Sequence, residues 1–312
     1  MPLLDLLTES SALRLCQSPD IDRFRRIENL SEAQSIPLDL SQFDTAFAEV
    51  ALKSCSVFLQ RTFPRILQAN YRTSGAILAF AMDDAGVAIV NGMEARAPMI
   101  LLLCGSALCD VVEPRANEIA FINFAAVGDR GWPLVEDSVQ LIRSHPAPFR
   151  ALQAITRDVL LLAANRHERF PGAAMAMEES ILEAIDTIFN AKEWAVTPWR
   201  PNMSGYLALV RRLDELLAQN AQNAVYSSDV ARQLGVSVRT VHNAVVAIRG
   251  MSLHRYSRLR RLWNVRHQLL LGDVTRIKVA AFANGFWHMG EFAQHYRAVF
   301  GETPQQTQQR RS

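Results

Sequence analysis

The sequence predicts a two-domain α+β chain, with a β-rich N-terminal part carrying helices and an all-α C-terminal part, and three observations predict it. Residues from about Asp20 to Val127 form short alternating or apolar runs separated by turn signals. From Leu134 the apolar spacing becomes helical. Charge then separates along the chain. Tyr226 to the end holds 13 Lys and Arg against 4 Asp and Glu, whereas residues 1–225 hold 20 basic and 27 acidic side chains. At 312 residues, 49% of them hydrophobic, the chain is comfortable for two domains with real cores.

FDTAFAEV and SVFLQRTF alternate, and GAILAFAM, AGVAIV, MILLLC and EIAFINFA are short apolar runs. Asn91-Gly92, after AGVAIV, is a hairpin-turn signal. Short strands joined by turns predict an antiparallel barrel or sandwich, cupin-like in form. Helices are expected within 133–192, from SVQLIRSH, FRALQAITRDVLLLAANRHERF and AMAMEESILEAIDTIFN, punctuated by Pro146, Pro148 and Pro171-Gly172. Their apolar face packs on the sheet or buries against a second copy, as a homodimer. TPWRPNMSG marks a linker. The expected division is therefore 1–196, a linker at 197–205, and a basic helical domain at 206–312 that opens with the amphipathic LALVRRLDELLAQN.

The basic domain contains a unit and its partial repeat. In SSDVARQLGVSVRTVHNAV, Ser228 is the expected cap of one helix, Gly235 the turn, and Ser237 the cap of a second. Ala231 stands where the helices cross, with Val230, Leu234, Val236, Val241 and Val245 as core. A small residue, Gly four later and an apolar residue six beyond is a helix-turn-helix pattern. Ala281, Gly285 and Phe292 repeat it with a turn one residue longer. Between the units, Leu253 to Leu271 predicts one basic helix of about 28 Å at ~1.5 Å per residue. Adjacent major-groove faces recur every ~34 Å, so such a helix suits two reading heads on one side of a duplex.

Residues from about Tyr226 to Thr307 resemble the DNA-binding domain of the AraC/XylS family of bacterial transcription regulators. Three stretches carry the resemblance. The first is ARQLGVSVRTV. The second runs from Gly250-Met251-Ser252 through Tyr256, Arg261, Leu262, Arg266 and Leu269. The third is GFWHMGEFAQHYRAVFGETP, whose FGETP ending is highly specific. The WHMG variant is similar to a subgroup that includes ethanolamine-utilisation regulators. The resemblance implies recognition helices at about Val236–Ile248 and Phe286–Val299. In the first, Ser237, Arg239, Thr240, His242 and Asn243 are the implied DNA contacts, with Arg239 suited to guanine and Asn243 to adenine. In the second they are Trp287, His288, Gly290, Glu291, Gln294 and Arg297. Glu291 stands where the subgroup usually has Arg. It either accepts from cytosine or makes the second helix the weaker reader. Arg258, Arg260 and Arg266 of the linking helix are phosphate candidates, while Arg261 is expected to brace the two units internally.

The expected function is sequence-specific promoter binding by an effector-responsive activator that contacts RNA polymerase. A small-molecule effector is expected on the N-terminal domain. The first alternative is a small-molecule-binding protein with a non-specific basic tail. The second is a metal-dependent enzyme using His288, Glu291 and His295, which share a face if the whole stretch is helical. No nucleotide-binding, hydrolase, zincin or C-x-x-C motif occurs, so the expectation is no enzyme and no cofactor. Cys104 and Cys109 are expected as buried apolar residues, and Phe286, Phe292, Tyr296 and Phe300 as helix core. No uncharged apolar run approaches the ~20 residues of a membrane span. The N-terminus lacks a secretion pattern, which makes the cytoplasm the expected location and reduced thiols the expected state.

Overall fold

A computed structural model describes residues 2–18, 21, 34–41, 43–165, 171–191, 193–220, 227–272 and 276–310. Its N-terminal part is a single antiparallel sheet. β1 (Leu13–Ser18), β3 (Thr45–Ala51), β4 (Cys55–Arg61), β9 (Glu118–Phe124), β5 (Arg65–Ala81), β8 (Met99–Glu113), β10 (Ser138–Arg143) and β11 (Ala195–Val196) lie side by side in that order. β2 (Gln34–Pro37) pairs with β5, while β6 (Val87–Val90) pairs with both β7 (Met93–Arg96) and β8. The β5–β8 register shifts between Arg72 and Ala76. Such an irregularity bends the strand and raises its twist.

MILLLC is continuously apolar because both faces of β8 are covered. Ile100, Leu102 and Cys104 enter one core, together with α1 (Pro146–Ala164) and α2 (Pro171–Asn190). Leu101 and Leu103 enter another, with Tyr71, Met93 and Leu141. A strand buried on both sides has no reason to alternate. Asn91 and Gly92 have φ of 47° and 83°, as a two-residue hairpin between β6 and β7 requires.

Three expectations of the N-terminal part are corrected. SVQLIRSH is a strand, not a helix: Ser138–Arg143 pairs with Met99–Cys104. Six residues before two prolines are too few for apolar spacing to separate the two periods, and the free edge of β8 supplies backbone partners. Sheet structure begins at Leu13 rather than near Asp20, because β1 finds its partner in β3. β5 and β8 also extend well beyond GAILAFAM and MILLLC.

β11 is followed by α3 (Met203–Gln219), which starts inside the expected linker. Next come α4 (Ser227–Leu234), α5 (Val238–Arg249), α6 (Leu253–Leu271), α7 (Ile277–Ala283), α8 (Met289–Phe300) and α9 (Pro304–Gln309). Ser228 lies inside α4 instead of capping it. The long basic helix has the expected bounds. Gly235 and Gly285, with φ of 70° and 74°, make the two interhelical turns in a conformation that side chains with a Cβ adopt at a cost. One apolar core runs through both units and takes in Ile36, Leu40, Phe63, Ile66 and Val112 of the sheet domain.

Candidate nucleic-acid interface

The first unit is built around Val230, Ala231, Leu234, Val241, Ala244 and Val245, all buried, with Val236 half-buried. Ser237 caps α5: its Oγ accepts from the Thr240 backbone N–H at 3.0 Å and lies 2.8 Å from Thr240 Oγ1. Capping sets where the helix begins, and it thereby fixes which residues its outer face presents. Arg239, His242 and Asn243 are exposed on that face, and Thr240 is half-buried. Among the described residues, Arg239, His242 and Asn243 have no side-chain hydrogen bond or ion pair. They are therefore available to an external partner.

In the second unit Phe286, Phe292, Tyr296 and Phe300 form a chain of ring contacts, with centroids 5.1, 5.6 and 4.5 Å apart. They are the core of the unit, not a platform for bases. α8 begins at Met289, so Trp287 and His288 precede it. Trp287 is 66% exposed and stacks on Phe282, whose ring also lies 5.3 Å from Lys278 Nζ. Gly290, Glu291, Gln294 and Arg297 are exposed along the outer face. His295 is half-buried, and burial, Arg258 and His254 pull its pKa below the ordinary value against the opposing pull of Glu291. His288 caps α8 with an extended backbone, so of the three residues of the metal alternative only Glu291 and His295 lie within the helix. Among the described residues no group of three His, Cys, Asp or Glu could hold a metal ion.

The linking helix corrects two phosphate candidates. Arg260 is 8% exposed and donates to the Asp214 carbonyl at 3.3 Å. Arg266 is 2% exposed, 3.5 Å from Glu302, with its guanidinium 5.6 and 5.5 Å from the Trp263 and Phe300 rings. Both share the inner face of α6 with Tyr256, Leu262 and Leu269, where side chains recur every three to four residues. A phosphate does not reach them there. Arg258 is half-buried and lines a cleft against Pro64 and Pro114 of the sheet domain. Arg261 donates to the Asn284 and Gly285 carbonyls at 3.5 and 3.1 Å, so it braces the turn of the second unit.

A buried polar network between sheet and helices has no counterpart in the sequence reading. Asp110 of β8 lies 2.5 Å from Arg211 of α3 and 3.0 Å from Arg249 of α5. Arg249 also reaches Asp214 at 2.9 Å. Asp214 accepts further from Gln68 of β5 at 2.6 Å and from the Tyr256 hydroxyl. Burial works against the Arg249 charge, but Tyr256, Asp110 and Asp214 outweigh it and hold its pKa above the ordinary value. Burial, with Asp214 beside it, raises the Tyr256 pKa. Of these residues only Tyr256 stands out in the sequence.

Residues 230–310 match the family model described as a helix-turn-helix domain. The C-terminal region is an AraC-type helix-turn-helix domain. Curated proteins are similar to the chain over the same kind of partial span. The probable thc operon regulatory protein of Rhodococcus erythropolis is 29% identical over 133 residues, 42% of this chain and 38% of that protein. The XylDLEGF operon transcriptional activator of Pseudomonas putida is 30% identical over 98 residues, 31% of this chain and 30% of that protein. The chain thus spans well under half the length of these relatives. Among solved structures, a probable AraC family transcriptional regulator from Rhodopseudomonas palustris is 29% identical with a TM-score of 0.31, covering 34% of this chain and 99% of that one. The AraC-type domain occupies the part of the chain in which basic residues predominate.

Proposed function

We propose that the chain is a sequence-specific, DNA-binding transcription regulator whose sheet domain senses an effector and whose AraC-type domain reads promoter DNA. The observation that carries this reading is the pair of helix-turn-helix units joined by one 19-residue helix, with Arg239, His242 and Asn243 exposed and unpartnered among the described residues. In this reading Arg239 and Asn243 meet base edges, and Ser237 and Thr240 meet the backbone where α5 begins. Trp287, His288, Gly290, Glu291, Gln294 and Arg297 form the second reading surface.

The regulatory part follows the same logic. The boundary falls at 197–205, and activation proceeds by contact with RNA polymerase. Pairing of two copies uses the helices within 133–192, and the site of action is the cytoplasm. A cleft of about 560 Å³ between the domains has a mixed lining, in which Leu38, Leu259 and Leu262 stand beside Arg255, Arg258, His295 and Asp39. Such a lining suits a small organic anion as effector.

The test is binding of the full chain to duplexes selected from a random-sequence pool. A recovered motif, bound with an affinity that falls steeply with salt, is the expected result. Binding without any motif would instead support the reading of a non-specific basic tail on a small-molecule-binding protein.

A further inference from the structure

We infer that the sheet domain clamps the two helix-turn-helix units at two separate points, and that Asp110, as a positioning residue, thereby sets the spacing at which they read DNA. The inference rests on the DNA-binding reading above.

The first point is on α3 and α5. The Asn91-Gly92 turn approaches these helices so closely that a Cβ on Gly92 would lie 2.7 Å from Met203 Sδ and 2.9 Å from the Ala247 carbonyl oxygen. Asn91 fastens that turn to β8: its backbone N–H donates to the Asp110 carbonyl, and its Oδ1 accepts from the Asp110 N–H, both at 2.7 Å. The Asp110 carboxylate then holds Arg211 of α3 and Arg249 of α5. Turn, strand and carboxylate therefore act as one rigid pin.

The second point is on α8. The Leu40 N–H donates to the Val299 carbonyl at 2.6 Å, and a Cβ on Gly301 would lie 3.0 Å from Ser41 Cα. Leu40 is buried in the core that also holds Val299 and Phe300.

Without the sheet domain, the two units are connected to each other through α6 and its packing. With it, a second rigid body spans both, and a linkage fixed at two places loses the bending and twisting that one connection leaves. The strands that carry the first pin also wall a pocket of the sheet domain. Val90, Val111 and Glu113 line a small open pocket of the sheet domain, while Ile89 and Val112 turn toward the helices. Any shift of that wall moves Asp110.

The experiment uses the full chain and its Asp110→Asn and Gly92→Ala variants, which weaken the first pin by charge and by steric conflict respectively. Each selects duplexes from a random-sequence pool, and the gap between the two recovered half-motifs is read. The wild type is expected to select one gap. The variants are expected to accept several, while their affinity for a duplex with a single half-motif stays within about twofold, the scatter normal for uncoupled sites. Variants that fold cooperatively yet keep the single gap overturn the proposal. So do variants that lose single-motif affinity in step with the gap preference, since the network would then only hold the first unit together. If Asp110→Asn does not fold, Gly92→Ala decides by the same readout. If the wild type recovers no motif, the DNA-reading function itself fails and the clamp's role in spacing fails with it.

Discussion

Arg249 Nη2 lies 2.9 Å from Asp214 Oδ2, with the arginine fully buried and the aspartate side chain 8% exposed. Both belong to the helical domain, and Asp110 of the sheet domain meets the same guanidinium. Buried ions are tolerated when each is paired, and removing one partner leaves the other uncompensated. Asp214→Ala should therefore destabilise the protein by about 3–5 kcal/mol. Denaturant unfolding of the purified variant measures this, and a loss under about 1 kcal/mol would mean that Asp110 alone suffices for Arg249.

Arg266 should behave as a structural residue. Arg266→Ala is expected to cost about 3 kcal/mol of stability, because it empties a buried site packed against the Trp263 and Phe300 rings, while Glu302 keeps Arg310 at 2.7 Å. The slope of DNA affinity against salt should not change. A slope reduced by about one would restore Arg266 as a phosphate contact.

Arg239 is exposed on α5 and has no side-chain partner among the described residues. Arg239→Ala should lose ~1–3 kcal/mol of discrimination at one base step. Binding to a set of single-base variants of the selected site is the measurement. A loss equal for every variant would make Arg239 a phosphate contact.

Glu291 is the sole acidic residue on the exposed face of α8. If it is only tolerated there, Glu291→Arg should tighten DNA binding and steepen the salt slope by about one. Weaker binding to the selected site would instead show that the carboxylate reads a base.

The thiols give a pH test. Burial, with Asp110 adding to it, pushes Cys109 up to about 12, and burial with Glu178 does the same for Cys55, from an ordinary value of 9.0. A pKa raised by folding means that the native state keeps its proton where the unfolded chain has lost it. The associated stability is present below the unfolded value near 9.0 and is lost as pH rises toward the folded value of about 12. Stability should therefore fall between those values, and less steeply in a Cys55→Ala, Cys109→Ala double variant. At pH near 8, alkylation should modify the half-buried Cys16 first. Mass mapping that found Cys109 modified first would contradict this burial.

The helical domain was largely legible because its signals are local. Gly235, Ser237 and Gly285 specify turns and a cap within a few residues, and the apolar spacing of α6 spans five helical turns. Two features were misread for opposite reasons. SVQLIRSH was too short for its spacing to choose between strand and helix, and the edge of β8 chose. Arg260 and Arg266 look like surface arginines in a basic helix, yet one helical face carries both inward.

The two-part layout, the repeated helix-turn-helix units and the exposed outer face of α5 were all readable from sequence, since each depends on neighbours within a turn or two of backbone. Which arginines turn inward, and how the sheet grips both units, depended on the folded chain. The partners involved, Asp110 with Arg249 and Leu40 with Val299, lie more than a hundred residues apart. Pairing at that distance follows from burial and packing of whole elements, which no local pattern encodes.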